Sequence, residues 1–324
     1  MSLLVLKFGG SSVRDAERLA RMAHIVRERH SAGDGVVVVL SAQGDTTDRL
    51  LEKAAEVTEK PSPRELDALV SAGEQMSAAL GAMALQRLGV DAVSLCAWQL
   101  PLHTDDVHTN ANVKEVGTQR IRRELEAGRV VVAAGFQGVD AAGDITTLGR
   151  GGSDTSAVAL AAALHADGLI IYTDVDGIFS SDPRVCPDAV RRERISYDDM
   201  LLLARKGAQV LHDRSVALAQ KSGVAVTVRS CGEESAGSVV SGEGEDVPVV
   251  GVTQKKSANS ALAAITAVGG ALPDIALERA AIEALERAGL CVYAIAEGER
   301  YMSLFVLRAD AEDALRLVHG ALIG

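Results

Sequence analysis

Three short segments of this 324-residue chain gather residue types suited to holding anions. Lys7-Phe8-Gly9-Gly10-Ser11-Ser12 puts a lysine near the end of an apolar run and follows it with two glycines. Backbone N–H groups can come close to an anion there, and a helix starting next would add its dipole to the lysine's charge. The same residues also read as a tight turn, with Lys7 a solvated strand end. Gly149-Arg150-Gly151-Gly152-Ser153-Asp154-Thr155-Ser156 sets an arginine among glycines, so its planar fork can meet a carboxylate without obstruction. Ser153 and Asp154 can organise a further anion or a cation, or one of them can be only a helix N-cap. Capping accounts for one of these residues and not for Arg150. The third segment, Thr173 to Arg184, follows an apolar run ending at Tyr172 and has no regular periodicity. It reads as a structured loop at a strand end, where binding groups concentrate. Its Asp174-Val175-Asp176-Gly177 lacks the glutamate and flanking helices of a calcium loop.

The elements that must carry these segments alternate. Leu3 to Phe8 reads as a buried strand and Val13 to His30 as a helix, with Leu19, Met22, Ile25 and Val26 at helical spacing. Val36 to Leu40 is a second strand, ending at Ser41-Ala42-Gln43-Gly44, with a helix over Asp48 to Val57. After Pro61 and Pro63 a long helix is predicted from about Arg64 to Leu88, its Ser71-Ala72-Gly73-Glu74 stretch small enough for a close approach. Val130 to Ala134 and Leu169 to Tyr172 are further core strands around the alanine-rich helix Thr155 to His165. The alternation predicts an α/β fold, a mostly parallel central sheet between helical layers, that is, a three-layer αβα sandwich. Past Val224 to Arg229 the chain turns glycine-rich and acidic, which puts a boundary near residue 245 and domains at 1–245 and 246–324. The second reads as strands 249–253, 261–268, 291–296 and 302–307 with helices 275–288 and 311–322, a small α+β ferredoxin-like module. Trp98 and Met76 are expected in the core, His24 and His319 on helix faces, and Cys96, Cys186, Cys231 and Cys291 as inert thiols.

Composition excludes several classes. With 48% hydrophobic and 24% charged residues the chain can offset its ordering entropy and folds. A net charge of −11 without basic blocks argues against nucleic acid and anionic lipid as partners, and 3% aromatics leave little for base stacking. No run of 18 apolar residues or signal-peptide pattern is present, and the scattered cysteines fit a reducing cytoplasm. The GxxxxGK[ST], HRD, DFG, HExxH and GxSxG signatures are absent.

Taken together, Lys7 to Val13, Ser41 to Asp48, Thr147 to Ala157, Thr173 to Arg184 and Val224 to Ser230 resemble the aspartokinases of the amino acid kinase family, five segments in the same order. The resemblance implies transfer of the γ-phosphoryl group of MgATP to the side-chain carboxylate of L-aspartate, the first step towards lysine, threonine, methionine and diaminopimelate. It implies that Lys7 meets the transferring phosphoryl, that Gly9, Gly10 and Ser11 cradle phosphate, and that Asp154 organises the centre through Lys7 or the magnesium shell. Arg150 pairs with an aspartate carboxylate, Glu74 takes the ammonium, and Ser41, Thr47 and Ser153 line the amino acid pocket. Thr173, Asp174, Phe179 and Arg184 surround the nucleotide, and no protein side chain ligates the metal directly. Two departures bear on nucleotide affinity: Gln209 stands where many members carry lysine, with Lys206 a poorly aimed substitute, and Phe179 stands for a tyrosine. The tail suffices for one ACT-like module where members commonly carry two, and Leu272-Pro273-Asp274 lacks the glycine of many effector loops. The expectation is a homodimer through that module with weak or no inhibition by lysine or threonine. The competing readings are a kinase of another acidic metabolite and a non-catalytic sensor or storage protein on the same fold.

Overall fold

The computed structural model describes residues 2–232, 236–256 and 260–324. They form two compact units, one of Met1–Asp176 with Leu218–Ser235 and the other of Gly177–Ala217 with Ala236–Gly324. In the first unit, strands Val226–Ser230, Gly168–Thr173, Leu3–Phe8, Gly35–Leu40, Val130–Ala134 and Ala92–Leu95 lie side by side in that order. Every pairing among them is parallel. Gly35–Leu40 is buried along its whole length, which is how a strand covered on both faces reads.

One face of this sheet carries Leu6, Phe8, Val36, Val38, Leu40, Val130 and Val132. They pack against Leu19, Met22 and Val26 of helix Ala16–Ser31 and Ala78, Ala82 and Leu85 of helix Ala72–Arg87. Side chains alternate along a strand, so Val5 and Lys7 turn to the opposite face. There helix Gly152–Leu164 packs on strand Leu3–Phe8. A one-residue slip would exchange Lys7 for an apolar neighbour, so burial of both faces holds the lysine in register. A smaller sheet, in the order Val113–Val116, Leu102–Thr104, Gln137–Val139, Ile145–Thr147, leads directly into the glycine turn around Arg150.

Four expectations need correction. The helix predicted over Arg64–Leu88 is two helices, Pro63–Val70 and Ala72–Arg87, interrupted at Ser71. The Ser71 hydroxyl bonds back to the Ala68 carbonyl at 2.9 Å, a local competition that loosens a helix. Met76 and Trp98 are exposed at 50% and 47% instead of lying in the core. The buried face of helix Ala72–Arg87 is built largely from Gly73, Ser77, Ala78, Gly81 and Ala82, so the bulky Met76 and Met83 are left outside. His319 is buried with Nε2 2.8 Å from Ser180 Oγ, while His24 is exposed. Strand Ala92–Leu95, helix Gln119–Glu126 and the small sheet were not expected, because such short segments carry too few residues to show a period.

The second unit contains an antiparallel sheet in the order Gly251–Lys256, Leu262–Val268, Tyr301–Leu307, Ala294–Gly298. Helices Ile275–Arg287 and Ala311–Leu322 supply Leu285, Leu315 and Val318 to its core with Ile265 and Leu304. Segment 177–217 is tied to this module by buried polar contacts. Arg192 donates to the carbonyls of Val250 and Val249 at 2.8 and 3.0 Å, and Arg300 holds Asp199 with bonds of 2.8 to 3.0 Å. Those bonds explain why compactness groups segments from both sides of residue 245.

Gly10 has no room for a side chain: a Cβ there would lie 2.5 Å from the Ala42 carbonyl oxygen. Gly10→Ala is expected to lower stability by about 1–3 kcal/mol, as overpacking does, read as a reduced midpoint in urea unfolding. An unchanged midpoint would show that the Gly9–Ser12 loop is not clamped against Ser41–Gly44.

Candidate active site

A cavity of about 470 Å³ in the first unit lies where strands Leu3–Phe8, Gly35–Leu40 and Val130–Ala134 end. Lys7, Ser41, Thr47, Glu74, Arg150, Ser153 and Asp154, drawn from four separate segments of the sequence, all line it. These include every residue expected to bind the amino acid.

Lys7 Nζ lies 2.6 Å from Asp154 Oδ1, and the two residues are 8% and 9% exposed. Strand alternation aims the lysine at the start of helix Gly152–Leu164, and Asp154 occupies the first turn of that helix. The N-cap is Gly151, in the left-handed region at φ 68°, with no side chain capping it. Neither Ser153 nor Asp154 is therefore a cap, and Ser153 instead faces the cavity. Glycines allow the close fit around this helix start. A Cβ on Gly152 would lie 2.7 Å from the Phe136 ring, and one on Gly135 would lie 2.9 Å from Ser153 Cβ.

Glu74 is 3% exposed. Its Oε1 accepts the Ala42 N–H at 2.9 Å, and its Oε2 is buried with no partner. Burial pushes its carboxyl up to about 7, against the downward pull of backbone N–H groups and of the Lys7 charge. A carboxylate in this state is suited to a cationic ligand group, whose charge would draw it back to the ionised form.

Arg150 is exposed at the cavity wall between Gly149 and Gly151, both in the left-handed region at φ 71° and 68°. Phe136 and Asp67 are among the lining residues that the sequence reading did not point to. Phe136 adopts φ 67°, unusual for an aromatic residue, with its N–H donating to Ser156 Oγ at 3.0 Å and its carbonyl accepting from Leu148 at 2.8 Å. Asp67 is fully buried and accepts from Thr147, Thr109 and the His108 side. Its signal was present: Asp67, Val70 and Glu74 fall at i, i+3 and i+7, one face of a helix.

Gly9 N–H donates to the Tyr172 carbonyl at 3.2 Å, so a phosphate cradle here would draw on Gly10 and Ser11 at the start of the short turn Gly10–Ser12. Thr173 Oγ1 donates to Asp174 Oδ1 at 3.0 Å at the end of strand Gly168–Thr173. Phe179, Arg184 and Gln209 belong to the second unit. Phe179 sits in a two-residue strand paired with Arg191, Arg184 pairs with Asp182 at 2.8 Å, and Gln209 is exposed. Lys206, suggested as a stand-in for the cation missing at 209, lies with Nζ 3.6 Å from the centre of the Tyr301 ring.

Residues 2–230 match the model of the amino acid kinase family. An aspartokinase from Mycolicibacterium smegmatis is 48% identical over 281 residues, covering 85% of this chain and 65% of that protein. An aspartate kinase from Pseudomonas putida is 50% identical over 246 residues, covering 76% of this chain and 60% of that protein. The chain thus spans about 60–65% of the length of these curated relatives. Among solved structures, E. coli aspartokinase III in complex with aspartate and ADP shares the fold, with a TM-score of 0.86 at 24% identity over 99% of this chain and 100% of that chain. Aspartate kinase from Synechocystis matches with a TM-score of 0.68 at 31% identity, over 99% of this chain and 69% of that chain.

The buried Glu74 carboxyl carries a pH signature. Its folded value of about 7 lies above the ordinary carboxyl value, so between roughly pH 4.5 and 7 the folded state holds a proton that the unfolded state has lost. Stability then falls as pH rises through that window and is level above it. Relative to Glu74→Gln, the unliganded parent protein is expected to lose up to on the order of 3 kcal/mol between pH 5 and pH 8, read from urea midpoints. A gap between the two proteins that does not change with pH would contradict this.

Proposed function

The chain belongs to the amino acid kinase family, and from that membership we propose that it transfers the γ-phosphoryl group of MgATP to the side-chain carboxylate of L-aspartate, giving 4-phospho-L-aspartate and ADP. One observation carries the reading: a buried lysine–carboxylate pair, an arginine on a glycine turn and a buried carboxylate with an open oxygen line one cavity. The similarity to aspartokinases supports it. In this reading Arg150 grips a carboxylate of the amino acid with its planar fork, and the open Oε2 of Glu74 takes the ammonium. Ser41, Thr47 and Ser153 line the same pocket.

The chemistry needs no base. An aspartate side chain, with a reference pKa of about 3.9, is already ionised at neutral pH. The obstacle is repulsion between carboxylate and phosphate, so catalysis is a matter of positioning and of cations placed beforehand. Lys7 supplies such a cation, and Asp154 holds its ammonium in place, so little rearrangement is needed as charge moves onto the transferring group. The backbone N–H groups of Gly10 and Ser11, in the turn that has no space for a side chain at Gly10, fit a phosphate cradle, with Gly9 shaping its entry. Magnesium carried on the phosphate oxygens would add positive charge there, and among the described residues no three His, Cys, Asp or Glu side chains are grouped to hold a metal. Thr173, Asp174, Phe179, Arg184 and Gln209 are assigned to the nucleotide.

Residues 1–245 are assigned to the catalytic module and 246–324 to a single ACT-like module that pairs with a second copy. Strand Ala294–Gly298, outermost in its sheet and exposed along most of its length, supports that pairing. Among the described residues no helix is long and apolar enough to cross a membrane, and all four cysteines are free, which supports a cytoplasmic setting.

The deciding measurement is ADP release with and without L-aspartate, alongside a panel of other acidic metabolites with hydroxylamine trapping of the acyl phosphate. Turnover is expected to depend on L-aspartate and to be unmoved by millimolar lysine or threonine. Lys7→Ala should lose on the order of 10²–10³ or more in rate, and Arg150→Lys should raise the KM for aspartate strongly. ADP release that ignores aspartate, or a Lys7→Ala rate within about tenfold of the parent, roughly 1.4 kcal/mol, would sink the assignment.

A further inference from the structure

Besides Asp154, which is paired with Lys7, two buried carboxylates border the cavity, and they are satisfied in opposite ways. Glu74 keeps an oxygen unpartnered. Asp67, 0% exposed, is saturated: it accepts from Thr147 Oγ1 at 2.6 Å, Thr147 N–H at 3.1 Å and Thr109 N–H at 2.9 Å, with His108 Nδ1 also 2.9 Å away. A carboxylate offers about four acceptor sites, so Asp67 has none left for a ligand. We propose that Asp67 is a positioning residue, fastening two separate segments to helix Pro63–Val70 so that Arg150 and Thr109 are presented to the bound amino acid. The proposal rests on the amino acid site proposed above.

The need for such a fastening is written in the backbone. Arg150 stands between two glycines in the left-handed region, and glycine gives the chain its widest conformational freedom. An arginine so placed can bind a carboxylate tightly only if the chain beside it is anchored. Thr147, three residues upstream, is anchored twice on Asp67 through its hydroxyl and its amide. Its carbonyl in turn accepts the Ala111 N–H at 2.9 Å, which ties the neighbouring loop to the same point. In that loop Thr109 is itself held at φ 66°, a conformation that costs energy for a residue other than glycine. Its N–H donates to the Asp67 carboxylate, a charge-assisted bond that offsets the strain. Leu66 and Val70 border the same cavity, and bonds to a charge buried beside apolar groups are stronger than in water.

The test uses the full chain and two readouts. Asp67→Asn puts an amide NH₂ where donors converge, whereas Thr147→Val removes only one hydroxyl. Hydrogen exchange on the unliganded protein is expected to speed up in peptides covering 105–112 and 145–152 and to stay unchanged in the core strand 130–134. In steady-state kinetics Asp67→Asn should raise the KM for aspartate by about 10- to 100-fold, the range for lost hydrogen bonds to a charged group, and leave the KM for ATP within about twofold. In an Arg150→Ala background the same substitution should add little, since it acts through the arginine. Thr147→Val should move the aspartate KM and both peptides in the same direction by less, and it decides the matter alone if Asp67→Asn does not fold. Unchanged exchange, an unchanged aspartate KM, or effects of Asp67→Asn and Arg150→Ala that multiply independently would overturn the proposal. If the parent protein shows no aspartate-dependent turnover, the functional reading fails instead, and the exchange readout alone decides whether Asp67 fastens the two segments.

Discussion

The ion pair between Lys7 and Asp154 is the constraint around which the first unit is arranged. Removing both charges from water is expensive, and a pair this buried is poor evidence of a gain in stability. Keeping it requires that strand Leu3–Phe8 stay in register, that helix Gly152–Leu164 begin where it does, and that nothing bulky intervene. The apolar burial of both sheet faces meets the first requirement. The left-handed Gly151 meets the second, and Gly135 and Gly152, pressed against Ser153 and Phe136, meet the third.

Electrostatics at the cavity is a local matter set against the sign of the whole molecule. A chain of net charge −11 repels acidic metabolites at long range, so an anion can be held only where cations are concentrated and partly desolvated. Lys7 and Arg150 differ in how they are held. The lysine is pinned by the Asp154 carboxylate, and the arginine is exposed on a glycine turn whose anchor lies three residues upstream. The carboxylates sort by what they already accept. Asp154 is paired with Lys7, Asp67 is saturated, and Glu74 keeps a buried Oε2 that neither an ion pair nor a hydrogen bond meets.

Much of this was legible before any coordinates. The continuous apolar runs marked the four main parallel strands, and the glycine-flanked Lys7, Arg150 and Asp154 identified three cavity residues far apart in the chain. The places where reading failed share a cause. The small sheet that delivers Thr147 and the strand Ala92–Leu95 are too short to show a period. Met76 and Trp98 read as core because they are large and apolar, yet the helix that carries Met76 approaches the sheet through its small residues. Asp67 and Glu74 are seven positions apart, at helical spacing in the sequence although on two helices in the structure, and the sequence does not say which of two such carboxylates is already occupied.

Composition and order along the chain thus determined the class of fold, the elements at whose ends a ligand could sit, and the cationic residues placed there, because these depend on local period and on residue chemistry. Tertiary structure alone decided which groups meet: Lys7 with Asp154, Asp67 with Thr147 and Thr109, Glu74 with the Ala42 amide and an open oxygen. Those pairings depend on sheet register and on the crossing of segments up to 147 positions apart, and the availability of a buried lone pair is settled only when every neighbouring donor has taken its place.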